Sequence, residues 1–220
     1  MQITLIKKWR RWLCFMLLGI ITAGCAGVPP FPPHQRAAVA AADIHAAMER
    51  CWLNGQRRYL CRNSGVLEVP GRKIALQGLV RVDSVADSAR LVALDSMGTR
   101  LFDISIDARD YTVNYMLEQL RAHPRLAAVV AASVRAVFLS PYVAGTPQLV
   151  ADGSRWLVDG AAARFEFGGR PLRLQRRLLR GDNECQVDYY AYGGDFPGGI
   201  VLDATGYSLT LWIEEVKQLP

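Results

Sequence analysis

The sequence predicts a mainly β domain of the α+β class: an antiparallel sheet of about nine strands with one central helix. Three patterns predict it. Apolar and polar residues alternate along Ile74–Asp83, Arg100–Ile106 and Ser208–Val216, the period of a strand with one buried face. Turn glycines, among them Gly98, Gly168, Gly169, Gly181 and Gly206, punctuate the runs. One stretch switches to helical three-to-four spacing, through Leu126, Val129, Val130, Val134, Val137 and Phe138.

The first residues read as an export leader. Lys7, Lys8, Arg10 and Arg11 form a basic head, Leu13 to Ala23 an apolar run, and Ala23-Gly24 a pair of small residues before Cys25. That order is a secretory signal peptide over residues 1–24. The apolar run is shorter than the roughly 20 residues of a membrane span. Thr22-Ala-Gly-Cys25 resembles the bacterial lipobox, with Thr22 where Leu is usual; that resemblance implies that Cys25 becomes the acylated first residue of the mature chain. Residues 25–36 hold Pro29, Pro30, Pro32 and Pro33 and read as a stiff, extended tether. A single domain is expected over 37–220.

Within it, Ala37–Arg50 suits a helix with Ile44, Ala47 and Met48 on one face. Cys51 and Cys61 flank Asn54-Gly55, a hairpin signal. In an oxidising compartment a Cys51–Cys61 bridge is the first choice among the three pairings open to Cys51, Cys61 and Cys185. Ile74–Asp83, Arg90–Leu94 and Arg100–Ile106 form a meander. Pro124 starts the central helix, Pro141 stops it, and 142–154 is a loop. Arg155–Asp159, Ala163–Phe167, Leu172–Leu179, Cys185–Tyr192, Ile200–Ala204 and Ser208–Val216 are the closing strands.

The chain has 26 Lys plus Arg against 20 Asp plus Glu, a formal charge of +6. Four of those cations sit in the leader with no acid beside them, so the mature chain has 22 against 20. The basic balance belongs mostly to targeting, and it implies no nucleic-acid partner. His34, His45 and His123 have no metal-ligand spacing. The sequence has no nucleophile elbow, phosphate loop or dinucleotide fingerprint. Asp182, Glu184 and Asp188 match no EF-hand loop. The expectation is a protein that is not an enzyme and takes no metal and no cofactor.

A sheet of this size curls, and its inner face must be filled by side chains, a helix or a ligand. One reading is a solid core packed on the 124–139 helix. The other is a half-barrel that holds an acyl chain under that helix. In the second, Val80, Val82, Phe102, Ile104 and Ile106 line the cavity from neighbouring strands, and Leu126, Val130 and Val137 cover one mouth.

Three runs carry a family likeness: Gly78-Leu-Val-Arg-Val82, Leu91-Val-Ala-Leu-Asp-Ser-Met-Gly98 and Leu101-Phe-Asp-Ile-Ser-Ile106. Their order resembles the opening meander of LolA/LolB-like lipoprotein carriers. It resembles still more closely a family of small proteobacterial lipoproteins of unknown function with that fold. The likeness covers roughly 66–216 and implies an unclosed antiparallel β-barrel capped by helices, with an apolar cavity for acyl chains. LolB-like receptors carry a hydrophobic membrane-inserting loop between early strands; here Ser84–Ser88 offers only Val85, which points to a carrier for another lipid.

The sequence therefore predicts an outer-membrane lipoprotein facing the periplasm. Its partners are membrane lipids, through the acylated Cys25, and a lipid or lipidated cargo. The alternative is a solid barrel that docks a protein of an envelope assembly or lipid-synthesis system. Ala26 follows Cys25 where an Asp would favour inner-membrane retention. Acylation by more than one chain, at about 0.8 kcal/mol per buried methylene, gives stable attachment. Radioactive palmitate should label the protein in outer-membrane fractions, and Cys25→Ala should abolish the label. Label that survives this substitution refutes the anchor, and residence in the inner membrane refutes the sorting.

Overall fold

Among the described residues, alternating segments assemble into one antiparallel sheet of 12 strands. The computed structural model describes residues 31–34, 38–39, 43–54, 57–139, 145–181 and 184–220; the leader, Cys25 and residues 35–36 lie outside the described residues. The first half supplies β1 (Arg58–Val69), β2 (Arg72–Asp83), β3 (Ser88–Leu94), β4 (Arg100–Asp107) and β5 (Tyr111–Met116). The second supplies β6 (Pro147–Leu149), β7 (Arg155–Asp159), β8 (Ala163–Gly168), β9 (Arg173–Leu179), β10 (Cys185–Tyr190), β11 (Gly199–Ala204) and β12 (Tyr207–Leu219).

The order across the sheet is β5-β4-β3-β2-β1-β12-β11-β10-β9-β8-β7-β6, with β5 and β6 at the free edges. Two meanders are thus joined where the first strand pairs the last. The β1–β12 ladder runs from Arg58↔Leu219 to Glu68↔Ser208, with one irregularity at Arg62/Asn63. The fold is an unclosed, mainly antiparallel β structure with few helices, as the sequence predicts.

All nine expected strands form. The three others had no clean alternation to announce them. In β1 the inward positions include Asn63 and Gly65 between Cys61 and Leu67. In β5 the middle residues Thr112, Val113 and Asn114 are exposed at an edge. The three-residue β6 lies in the expected loop 142–154 and pairs with β7.

The helical segments are short. The first, α1, spans Asp43–Glu49 and buries Ile44, Ala47 and Met48. It is shorter than the expected 37–50, since Ala38 and Val39 are not helical. A 3₁₀ turn, Trp52–Asn54, follows it. A single turn, α2 (Glu118–Arg121), precedes α3 (Leu126–Val134), which continues into a π-helical turn over Arg135–Leu139. The predicted 124–139 helix is therefore two geometries in series. Its buried residues pack on β4, β5, β3 and β10.

The expected hairpin turn at Asn54-Gly55 lies partly outside the described residues, which end there in the 3₁₀ turn Trp52–Asn54. The Cys51 amide closes the end of α1 on the Met48 carbonyl at 3.2 Å. Trp52 turns into the core against Phe138, Tyr189 and Phe196. Cys61 sits on β1 between Val80 and Val216. Cys51, Cys61 and Cys185 all keep their thiols, so no Cys51–Cys61 bridge exists in the structure. Burial pushes the Cys61 thiol up to about 12, which leaves it unreactive at neutral pH.

The described residues of the expected tether, 31–34, pack against the sheet. Phe31 stacks on Tyr190, with ring centroids 5.1 Å apart, and tilts over Trp212 at 5.8 Å. His34 lies parallel to the Tyr190 ring at 4.4 Å. Gly199 makes the socket: a β-carbon there would stand 2.3 Å from the Phe31 ring. Farther on, Arg170 donates to the Ala38 carbonyl, and the Val39 amide donates to Gly153. The segment straps the outer face of β10–β12.

Under the strap, His34 Nε2 is 3.8 Å from Asp188 Oδ1. Burial would raise the Asp188 pKa; His34 and the hydrogen bonds from Arg176 and Gln186 outweigh it and hold the carboxyl below its ordinary value. Its contribution to stability is complete above an unfolded pKa of about 3.9 and is lost as pH falls through the lower folded value. Gly199→Val should expel the Phe31 ring and lower stability in urea unfolding by about 1–2 kcal/mol, part of the burial of one aromatic side chain. Phe31→Ala in that background should then add little. Two fully additive losses would place Phe31 elsewhere.

Candidate functional site

The inner face of the sheet is where the expected lining residues meet. Val80 on β2, Phe102 on β4, Val130 on α3 and Val137 in the π-helical turn surround an apolar cavity of about 70 Å³, together with Leu91, Ala93, Val134 and Leu211. The other four expected residues lie outside it. Val82 and Ile106 are buried one rung farther along, through the register Val82↔Ala89↔Ile106. At that end Val82 also pairs Tyr59, whose ring meets Phe196, which in turn meets Trp52, so aromatic side chains fill the space. Ile104 is fully buried on β4, on which α3 packs. Leu126 is half-buried in the first turn of α3 and does not reach the cavity. Alternation put the right residues on one face; which part of the face stays open depends on the plug behind α1.

Three polar side chains, Asn63, Gln77 and Ser133, also line the cavity, and the sequence marks none of them. Asn63 is 6% exposed on β1, and its Nδ2 has no hydrogen-bond partner among the described residues. Gly78 makes room for it, because a β-carbon there would lie 2.8 Å from Asn63 Oδ1. Ser133 on α3 reaches the Val129 carbonyl at 2.9 Å and the Tyr207 hydroxyl at 2.9 Å. Ser133 was hidden among alanines and valines, and Asn63 lay in a strand with no clean alternation.

Beyond Ser133 the inner face opens into a cleft of about 810 Å³ between α3 and the strand ends at Leu179, Cys185 and Tyr207. Ala132 and Ala136 form the helical wall, and Arg125, Arg135, Arg180 and Glu184 stand at the rim. Arg135 donates to the Asp107 and Asp110 carbonyls at 2.6 and 2.5 Å. Arg180 donates to Asp159 at 2.6 Å. The N-terminus of α3 has no side-chain cap and no acid in its first turn, so directed polar bonds hold this helix only weakly.

Two carboxylates held below their usual range by arginines, Asp103 and Asp159, belong to structural pairs on the outer face. Arg90 donates through Nε and Nη2 to Asp103 at 2.9 and 2.8 Å, with Asn114 adding a bond at 3.1 Å. The Arg90 hydrogen bond, aided by Asn114, holds the Asp103 carboxyl below its usual range against the effect of burial. Arg164 grips Asp159 through the same two nitrogens. Among the described residues no group of three His, Cys, Asp or Glu is placed to hold a metal ion.

A sequence model for a family described as "Protein of unknown function (DUF3261)" matches residues 66–217. The chain belongs to the DUF3261 family. No curated protein matches it. Among solved structures, the DUF3261 chain is similar to a LolA superfamily protein from Nitrosomonas europaea. The identity is 12%, with 84% of this chain and 96% of that chain covered at a TM-score of 0.51. A domain from Vibrio parahaemolyticus, named for outer-membrane lipoprotein sorting, aligns at 8% identity over 80% of this chain and 92% of that one, with a TM-score of 0.46. The first likeness shows that this DUF3261 protein has a LolA/LolB-like fold.

The cavity makes a volume prediction. Ala93→Val adds two methyl groups where space exists and should leave stability within about 0.5 kcal/mol of wild type or raise it. Ala131→Leu, at a fully buried point of α3, should cost about 1–3 kcal/mol by overpacking. Equal losses in chemical denaturation would mean that no cavity adjoins Ala93.

Proposed function

We propose that this DUF3261 protein is a non-enzymatic lipoprotein of the outer membrane that binds or passes on a lipid or lipidated cargo in the periplasm. The observation that carries the reading is the way the inner face is covered. One short, alanine-rich helix and its π-helical turn lie over an apolar wall, with a cavity on one side and a wide cleft on the other. The cleft falls in the range of about 300–1,000 Å³ typical of small-molecule sites. The unpartnered Asn63 amide in the cavity supports a ligand with an acceptor atom. The LolA/LolB-like fold supports the same class of cargo. The Phe31 socket fits a lipid-anchored protein, since only five residues separate Cys25 from Phe31. A chain that short holds the domain close to the membrane.

One observation favours the second reading, a solid barrel that docks a protein partner. The apolar cavity, partly open and about 70 Å³, is smaller than the roughly 150 Å³ space known to admit benzene. An acyl chain therefore enters only if α3 moves. Native mass spectrometry of the mature protein from its own host, produced in the periplasm without the anchor, decides between them. Under the carrier reading, lipid co-purifies, an apolar fluorescent probe binds the lipid-stripped protein, and Val80→Trp reduces that binding at least several-fold while circular dichroism is unchanged. A folded Val80→Trp protein with unaltered probe binding leaves the docking reading.

A further inference from the structure

Among the described residues Arg177 is the largest fully buried side chain, with no exposure at all. It sits on the inner face of β9, in register with Phe165 on β8 and Val187 on β10. Its guanidinium carbon lies 5.6 Å from the centre of the Phe165 ring. Nη1 makes one long hydrogen bond, 3.4 Å, to the Tyr189 hydroxyl. Nε and Nη2 have no partner among the described residues. Tyr189 does not neutralise the charge, because burial pushes its hydroxyl up to about 12 and keeps it protonated. A guanidinium does not lose its proton in a protein, and an unpaired buried charge is strongly unfavourable.

The two unpartnered nitrogens have a meaning in this chain. Nε and Nη2 form the edge with which Arg90 holds Asp103 and Arg164 holds Asp159. Two parallel N–H donors on that edge match the two oxygens of a carboxylate. Arg177 presents the same edge inside the sheet, where β8 and β10 offer Phe165, Val187 and Tyr189. The next inward pair along the ladder, Leu179↔Cys185, lines the 810 Å³ cleft. Two residues of strand cover about 7 Å, roughly the reach of an arginine side chain. The turn over Arg135–Leu139 packs on β10.

We propose that Arg177 is the binding residue for the carboxylate of a long-chain carboxylic acid, whose chain extends into the cleft beneath α3. A small planar head suits a guanidinium with no exposed surface; a glycerol-substituted phosphate is too bulky for it. The inference rests on the lipid-carrier reading and narrows its cargo to an amphiphile with a free acid. A lipoprotein, whose acyl groups are esters and an amide, offers no such head.

The test measures displacement of an apolar fluorescent probe from the lipid-stripped mature protein by palmitate and by methyl palmitate. Wild type should prefer the acid at least tenfold. Arg177→Met, close in shape and uncharged, should keep probe binding, bind both lipids equally, and melt at a higher temperature than ligand-free wild type. Arg177→Lys should retain the charge and lose much of the preference, because a lysine has no fork. Acetate at the same concentration should not displace the probe, which separates an amphiphile from a free anion. Equal affinity for acid and ester in wild type overturns the Arg177 assignment and leaves the carrier reading standing. So does a preference that survives Arg177→Met. A melting temperature lowered by Arg177→Met overturns it as well, since the guanidinium then has a partner in the folded protein. Failure of the probe and both lipids to bind wild type removes the carrier reading itself, and the Arg177 assignment with it.

Discussion

An open sheet of 12 strands has an inner face that must be kept from water, and most of the structure answers that constraint. A closed barrel fills its lumen with its own side chains. Here β5 and β6 remain unpaired to one another, so other elements must complete the interior. Two inserts do so. The segment before β1 supplies α1 and Trp52, which plug one end with Tyr59 and Phe196. The segment between β5 and β6 supplies α3 and the π-helical turn, which cover the remainder. Both inserts connect to edges or termini of the sheet, so neither interrupts the β1–β12 seam that joins the two meanders.

That division explains what could be read from the sequence. Strands with one wet and one dry face, such as β2 and β4, alternate cleanly and were legible. Their inward residues Val80, Val82, Phe102, Ile104 and Ile106 are all buried as alternation requires. The split of those five between cavity and plug was not legible, because Trp52 and Phe196 are far from them in sequence and only the fold brings the rings together. β1 was hidden for a related reason. It carries Asn63 and Gly65 at inward positions, where a Cβ on Gly65 would meet Leu211 and the Thr210 carbonyl within 3 Å. A close approach and a buried amide replaced the apolar residues that mark an ordinary strand. The burial of Trp52 was likewise not legible, because it is a tertiary gain that local propensity does not register.

Buried polar groups separate the two faces of the sheet in another way. Outer-face arginines are matched to carboxylates across one strand pair, as in Arg90–Asp103 and Arg176–Asp188. Sequence shows the charges but not the pairing, since each partner is 12 or 13 positions away. Arg177, adjacent to Arg176, points to the other face, and period-two geometry alone separates a paired surface arginine from a buried one. In the sequence the two sit inside Arg173-Leu-Gln-Arg-Arg-Leu-Leu179 and look alike.

The energetics of α3 decide whether such an interior can open. Its buried residues are Ala127, Ala131, Ser133 and Val134. Burial of a methyl group is worth about 0.8 kcal/mol, so lifting a helix built on alanine exposes little apolar surface. An acyl chain of about a dozen methylenes would return on the order of 10 kcal/mol by the same measure, before its own ordering is subtracted. The following π-helical turn is different: Val137, Phe138 and Leu139 are all buried, and Phe138 meets Trp52 edge-on. The large apolar residues thus anchor the C-terminal part, and the small ones occupy the part beside the cleft. A helix divided in this way has an end that holds and an end that yields. The uncapped N-terminus, the alanine wall of the cleft and the Ser133–Tyr207 hydrogen bond all belong to the yielding end. Lifting that end breaks one directed hydrogen bond between helix and sheet, Ser133–Tyr207, while the anchored turn keeps α3 in register.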